Sequence, residues 1–117
     1  MKNLLKSLRD RYVIRHAAGI RIPDFAPDEI RRCRIVFKGR VQKVGFRLEI
    51  SELAHRLQIT GYCQNLENGD VLAEFQGAGS KIAFLVSCMD NLKRAHVRSK
   101  ETEDIPVIPS ETTFRKN

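Results

Sequence analysis

Apolar residues recur every three to four positions along residues 1–18, a spacing that predicts an amphipathic helix. Leu4, Leu8 and Tyr12 belong to this pattern, and basic side chains lie between them. Such a helix can bind a membrane surface or a partner, or it can pack on its own domain, and we favour packing. Prolines and aspartates in residues 23–28 predict a linker. The chain therefore divides into an N-terminal extension (1–31) and a domain (32–117).

Strand and helix patterns alternate through the first half of this domain. Alternating apolar positions predict a strand over residues 33–37, and apolar residues at helical spacing predict a helix over 44–57. A second strand is predicted over 59–66 and a third over 71–75. The segment between them contains Asn-Gly, which favours a tight hairpin turn because both residues accept positive φ.

The second half of the domain predicts one more helix and one or two strands. Ser80 is a candidate N-cap for the helix. The apolar residues that follow it at helical spacing are Ile82, Leu85, Val86, Met89 and Leu92. A weaker strand pattern covers residues 97–103, and residues 112–115 are long enough for a short edge strand.

The predicted order of elements indicates the fold class. Two helices of this length cover one face of a four- to five-stranded, mostly antiparallel sheet. The order βαββαβ is that of a ferredoxin-like two-layer α+β sandwich, here with an N-terminal helical extension. Many functions occur on this fold, so the function has to be argued from a site.

Composition and charge exclude several classes of protein. No apolar run is long enough to span a membrane, and the first residues do not form a secretory signal. Cys33, Cys63 and Cys88 are widely spaced, which favours buried free thiols in a cytoplasmic, reducing environment over a disulfide or a metal site. The net charge is +7, and more than half of it lies in residues 1–32. Because few aromatic residues accompany this charge, nucleic-acid binding is not expected.

The segment with the strongest chemical signal is residues 38–47, Lys-Gly-Arg-Val-Gln-Lys-Val-Gly-Phe-Arg. It joins a predicted strand to the start of a predicted helix, where backbone N–H groups converge and bind anions. It contains Arg40, Lys43 and Arg47 and no acidic residue. These features predict a site for a small anion, with phosphate as the first candidate.

This segment and two later ones resemble the acylphosphatase family. Its pattern G-x-V-Q-G-V-G-F-R matches residues 39–47, with one departure. The sequence Thr-Gly-Tyr-Cys-Gln-Asn at 60–65 and the hairpin Asn-Gly-Asp-Val at 68–71 match the family's next two motifs. The resemblance covers about residues 32–115.

The resemblance implies hydrolysis of the carboxyl–phosphate bond of an acyl phosphate to a carboxylate and inorganic phosphate, with no metal or cofactor. The family's catalytic arginine and asparagine fall on Arg47 and Asn65. Its phosphate-binding loop falls on Gln42, Lys43, Val44, Gly45, Phe46 and Arg47. An asparagine amide cannot act as a base at neutral pH, but it can orient the attacking water.

The departure from the family pattern is Lys43, where the family usually has glycine. If the position requires positive φ, a lysine there costs roughly 1 kcal/mol and can misalign the loop. If it does not, the lysine adds a cation beside the phosphate. We expect activity to survive in weakened form.

Two functions other than catalysis remain open at this point. A ferredoxin-like module with this loop can bind a phosphorylated ligand or anion without turnover. The sheet of such a fold can also bind RNA, although the strands here lack paired aromatic residues. We expect a monomer, with the extension as the segment available for self-association.

Overall fold

The computed structural model describes residues 2–117, and Met1, the first residue of the predicted N-terminal helix, lies outside this range. The chain forms three helices and five strands within the described residues. In chain order they are α1 (Lys2–Gly19), β1 (Ile30–Arg40), α2 (Phe46–Leu57), β2 (Thr60–Asn65), β3 (Val71–Ala78), α3 (Gly79–Asp90), β4 (His96–Ile105) and β5 (Phe114–Lys116).

The strands form one sheet in the order β4-β1-β3-β2-β5. Neighbouring strands are antiparallel, except that β5 runs parallel to β2. Helices α2 and α3 pack against the sheet, and alternate residues of β1 and β3 contribute to the core between the layers. Phe37 and Phe46 meet edge to face in this core, with ring centroids 5.2 Å apart. The predicted ferredoxin-like α+β fold is confirmed.

Helix α1 packs on α2. Val13 and Ala17 are fully buried, and Nη1 of Arg56 donates hydrogen bonds to the carbonyl oxygens of Ala17 (2.6 Å) and Ile20 (2.7 Å). These bonds satisfy carbonyl groups at the C-terminal end of α1. The interpretation of α1 as a helix packed on its own domain is therefore confirmed. Among the described residues, no helix is long and apolar enough to cross a membrane.

The predicted N-cap at Ser80 is wrong. The N-cap of helix α3 is Ala78, two residues earlier, and the carboxylate that accepts from the Ser80 N–H belongs to Asp28, at 2.8 Å. Hydrogen bonds from the backbone amides of Glu29 and Ser80 hold the pKa of Asp28 below its ordinary value. Asp28 of the linker thus accepts a hydrogen bond from the first turn of α3, a role that the sequence pattern assigned to the side chain of Ser80.

The sheet face away from α2 and α3 carries a buried ion-pair network. Nη2 of Arg32 donates to Oε1 of Glu74 at 2.9 Å, and its Nη1 donates to Glu111 at 2.7 Å. Nη2 of Arg34 and the hydroxyl of Tyr62 donate to Oε2 of Glu74 at 2.8 and 3.1 Å. Because Arg32 is only 3% exposed, loss of one carboxylate would leave its buried charge only partly compensated.

Candidate active site

The connection from β1 to α2 ends in a left-handed residue that starts the helix. Gly45 is the N-cap of α2, with φ 75° and ψ 20°, and no side chain caps the helix through a hydrogen bond within the described residues. The first backbone N–H groups of α2 therefore have neither intrahelical partners nor a side-chain cap. This is the arrangement that binds small anions at a helix N-terminus.

Lys43 also adopts a left-handed conformation, with φ 63°. An L-residue in this region costs roughly 1–2 kcal/mol relative to the right-handed region, whereas glycine does not pay this steric cost. Lys43 therefore adopts positive φ, which was the first of the two alternatives that the sequence left open. The side chain of Lys43 is exposed.

Residues from four separate elements line one cleft of about 190 Å³ at this loop. The predicted site residues among them are Gln42, Lys43, Gly45, Phe46, Arg47 and Asn65. Arg47 lies in the first turn of α2, whereas Asn65 is the last residue of β2. The fold thus brings the two candidate catalytic residues to the same cleft from segments 18 positions apart.

Two polar side chains of the loop are held by backbone carbonyl groups. Nε2 of Gln42 donates to the carbonyl oxygens of Leu66 (2.8 Å) and Asp70 (2.9 Å), which ties the loop to the β2–β3 turn. Nη1 of Arg47 donates to the carbonyl oxygen of Asn117. The Gln42 amide group therefore positions the loop, and the Arg47 guanidinium group lies at the cleft with a backbone partner.

Val44 is the one residue of the predicted loop that does not line the cleft. Its carbonyl oxygen accepts from Nε of Arg94 at 2.7 Å, and Nη2 of the same arginine donates to Oε1 of Glu49 at 2.7 Å. Glu49 is fully buried in α2. Arg94 thereby holds a loop carbonyl away from the cleft and fixes the loop to the helix. No motif in the sequence indicated this role.

Two buried side chains next to the cleft, those of Phe46 and Cys63, are chemically inert. Phe46 is 1% exposed, and Sγ of Cys63 lies 3.8 Å from the carbonyl oxygen of Arg47. Burial raises the pKa of the Cys63 thiol to about 12, although Arg47 and Lys116 lower it in part. The thiol is therefore protonated at neutral pH, and it is a packing group rather than a nucleophile.

Four charged lining residues were missed by the sequence analysis. Lys6, Arg9 and Asp10 come from α1, and Lys116 comes from β5. The sequence showed that α1 is basic, but a helical pattern does not indicate the part of the domain against which the helix packs. Lys116 directly follows the predicted edge strand. Its position beside β2 could not be predicted without the order of the strands in the sheet.

Comparison with known proteins agrees with this geometry. The family model for acylphosphatase matches residues 33–116. The chain belongs to the acylphosphatase family. The extension that contains α1 lies outside the matched segment of the acylphosphatase model, so the family comparison does not describe it.

Individual acylphosphatases match over most of their length. An acylphosphatase of Clostridium beijerinckii is 37% identical over 87 residues, which cover 71% of this chain and 93% of that protein. A structure of an acylphosphatase from Coxiella burnetii has a TM-score of 0.69 and 29% identity, covering 75% and 93% of the two chains. The crystal structure of acylphosphatase from Bacillus subtilis, 22% identical, has a TM-score of 0.69 and covers 76% and 99%. The predicted family and enzyme class are confirmed.

Proposed function

We propose that the cleft hydrolyses the carboxyl–phosphate bond of acyl phosphates without a metal, through the 42–47 loop, Arg47 and Asn65. The observation that carries this proposal is the convergence of Arg47 and Asn65 on a cleft that also contains the uncapped N-terminus of α2. An anion-binding loop and an amide-bearing side chain are the two parts that this hydrolysis needs.

The phosphoryl group binds at the N-terminus of α2. Backbone N–H groups of the loop and of the first helical turn donate to its oxygens, and Arg47 adds charged donors. The carbonyl oxygen of Asn117 accepts from Nη1 of Arg47, and the other N–H donors of the guanidinium group are left for the substrate. Gly45, in its left-handed conformation, precedes the first turn of α2, whose N–H groups have no side-chain cap within residues 2–117.

Water attacks phosphorus in line with the leaving carboxylate. The side-chain amide of Asn65 holds the water, the phosphorus–oxygen bond to the acyl group breaks, and the carboxylate leaves with the bonding electrons. A carboxylate is a stable anion at neutral pH and needs no proton to leave. Because neither motif has a general base, the proton of the water passes to an oxygen of the phosphoryl group. The products are a carboxylate and inorganic phosphate.

Hydrolysis of benzoyl phosphate in ¹⁸O-labelled water tests this assignment. We expect turnover without added metal and in the presence of a chelator, with one labelled oxygen in the phosphate and none in the benzoate. Label in benzoate would show attack at the carbonyl carbon and contradict the mechanism. Phosphate binding without turnover would instead favour a non-catalytic anion-binding module.

We propose, in addition, a monomeric cytoplasmic enzyme in which residues 32–117 form the catalytic domain and residues 1–31 an accessory extension. The family match over 33–116 supports this division. Val13 and Ala17 are buried within the chain, so the face of α1 that they form is covered without a second copy. The free thiols of Cys33, Cys63 and Cys88 support a reducing compartment.

A further inference from the structure

Helix α1 forms one wall of the cleft, although it lies outside the segment that the family model matches. Lys6, Arg9 and Asp10 line the cleft together with the loop and the start of α2. A side chain in this wall faces the same space as the substrate. The side chains of α1 that line the cleft therefore influence which substrates the cleft accepts.

Contacts with the loop and with α2 fix the position of α1. A Cβ atom built on Gly45 would lie 2.5 Å from Cγ2 of Val13, so the helix and the loop are in direct contact. The guanidinium carbon of Arg94 lies 5.6 Å from the ring centre of Tyr12, and Nδ1 of His16 lies 2.9 Å from Oε2 of Glu49. Two successive turns of α1 thus contact the loop or the groups that hold it.

The charge of the cleft exceeds that of one phosphoryl group. Five lysine and arginine side chains and one carboxylate line it, which leaves a net charge of +4; they are Lys6, Arg9, Lys43, Arg47, Lys116 and Asp10. A phosphoryl group carries a charge of roughly −2 at neutral pH. A substrate with a second anionic group complements the remaining charge better than one with a neutral acyl group.

Arg9 has unused hydrogen-bonding capacity at this wall. Its Nη2 lies 3.4 Å from Oδ1 of Asp10, and no partner of its buried Nε is found among the described residues. A pair at this distance is weak and leaves most of the guanidinium donors available. Lys6, one turn earlier, has an exposed side chain.

We infer that α1 is a substrate-binding element, in which Arg9 and Lys6 bind a second anionic group on the acyl part of the substrate. This inference rests on the proposed function, because it takes the phosphoryl group to occupy the loop. The favoured substrates are acyl phosphates whose acyl group carries a carboxylate or a further phosphate. Asp10 limits the attraction by pairing with Arg9.

Paired substrates test the inference in kinetics. We compare benzoyl phosphate with 4-carboxybenzoyl phosphate on the full chain and on Arg9→Gln, Lys6→Gln and the control Arg11→Gln. Arg11 lies on α1 with an exposed side chain and does not line the cleft. We expect Arg9→Gln and Lys6→Gln each to reduce the preference in kcat/KM for the carboxylated substrate about 3- to 5-fold, mainly through KM. The control keeps the wild-type preference.

Calorimetry separates failure of this inference from failure of the proposed function. Binding of 3-phosphonopropionate is compared with that of propylphosphonate, which lacks the carboxylate. If wild type hydrolyses neither acyl phosphate, the catalytic proposal is wrong, but tighter binding of 3-phosphonopropionate that is lost in Arg9→Gln still supports the role of α1. Equal binding of the two phosphonates, or a preference unchanged in Arg9→Gln and Lys6→Gln, would make α1 a structural cover and overturn the inference.

Discussion

Lys43 is the residue where the loop combines a left-handed backbone with a side chain that is poorly suited to it. Its φ of 63° lies in the region that glycine adopts without steric cost, and the family pattern has glycine here. The amine can still attract the phosphoryl group. At Lys43, the backbone strain and the attraction of the amine for the phosphoryl group therefore have opposite effects.

Replacing Lys43 by glycine separates these two effects. We expect Lys43→Gly to raise the free energy of unfolding by about 1 kcal/mol, because relief of the left-handed strain exceeds the entropy that glycine adds to the unfolded chain. We expect kcat for benzoyl phosphate to rise as the loop relaxes, whereas KM rises with loss of the cation. Urea unfolding and steady-state kinetics measure the two quantities.

Gln58 provides the matched control for this substitution. It has φ 58° and is the C-cap of α2, outside the cleft. Gln58→Gly should stabilise the protein to a similar extent without changing turnover. A decrease in kcat for Lys43→Gly would show that the lysine assists the reaction, and this would contradict the strain account.

At the scale of elements, the contact between α1 and the 42–47 loop passes through Gly45. Gly45→Ala introduces a methyl group 2.5 Å from Cγ2 of Val13 and places a side chain at φ 75°. We expect a loss of about 3 kcal/mol in unfolding free energy, from backbone strain and overpacking together. Thermal or urea unfolding measures it, and benzoyl phosphate turnover should fall as well.

Gly69 is a control that has the strain without the clash. Its φ is 97°, and a Cβ built on it meets no atom within 4 Å. Gly69→Ala should therefore cost about 1–2 kcal/mol, which is less than Gly45→Ala. Equal losses for the two variants would show that α1 does not press on the loop in solution.

The order of elements was predictable because apolar periodicity identifies each one. The ends of the elements were harder to predict. Strand β1 is eleven residues long where five were predicted, because basic residues interrupt the apolar alternation at both of its ends. The docking of α1 was not predictable in detail. Val13 and Ala17 face α2, while Leu4, Leu5 and Leu8 of the same helix stay exposed, so the apolar pattern did not indicate the buried face.

The candidate site was predictable only where a sequence motif marks it. The loop and Arg47 form one motif, and the family resemblance linked them to Asn65. Arg94 and Arg9 reach the site from elsewhere in the chain, through helix and strand packing that no local pattern encodes. Basic residues are common on protein surfaces, so their chemistry alone could not distinguish these two from the others.

At the scale of the whole molecule, the ion-pair network on the outer face of the sheet links stability to pH. Burial alone would raise the pKa of Glu74, but hydrogen bonds from Arg32, Arg34 and Tyr62 outweigh it and hold the pKa below its ordinary value. A lowered pKa means that the folded state binds fewer protons than the unfolded state at acidic pH. The stabilisation is therefore complete above the unfolded pKa, about 4.3, and is lost as the pH falls through the folded value.

Glu74→Gln removes this charge from the network. We expect a loss of about 3 kcal/mol at pH 7, because Arg32 stays buried with one carboxylate fewer, and we expect the difference from wild type to shrink below about pH 4. Glu103→Gln is the control: its carboxylate pairs with Arg34 at 2.9 Å but is 61% exposed, so its loss should cost less than about 1 kcal/mol. Denaturant unfolding between pH 3 and 8 tests both. A difference that stays constant down to pH 3 would show that Glu74 does not titrate as inferred.

The most direct test of the site is the hydrolysis of benzoyl phosphate by wild type, Arg47→Ala and the control Arg98→Ala. Arg98 has an exposed side chain on β4 and does not line the cleft. Arg47→Ala should keep a cooperative unfolding transition and lose at least about 1,000-fold in kcat/KM, because it lacks the charged donor for the phosphoryl oxygens. Arg98→Ala should match wild type. Turnover by folded Arg47→Ala within about tenfold of wild type would contradict the assignment of this cleft as the active site.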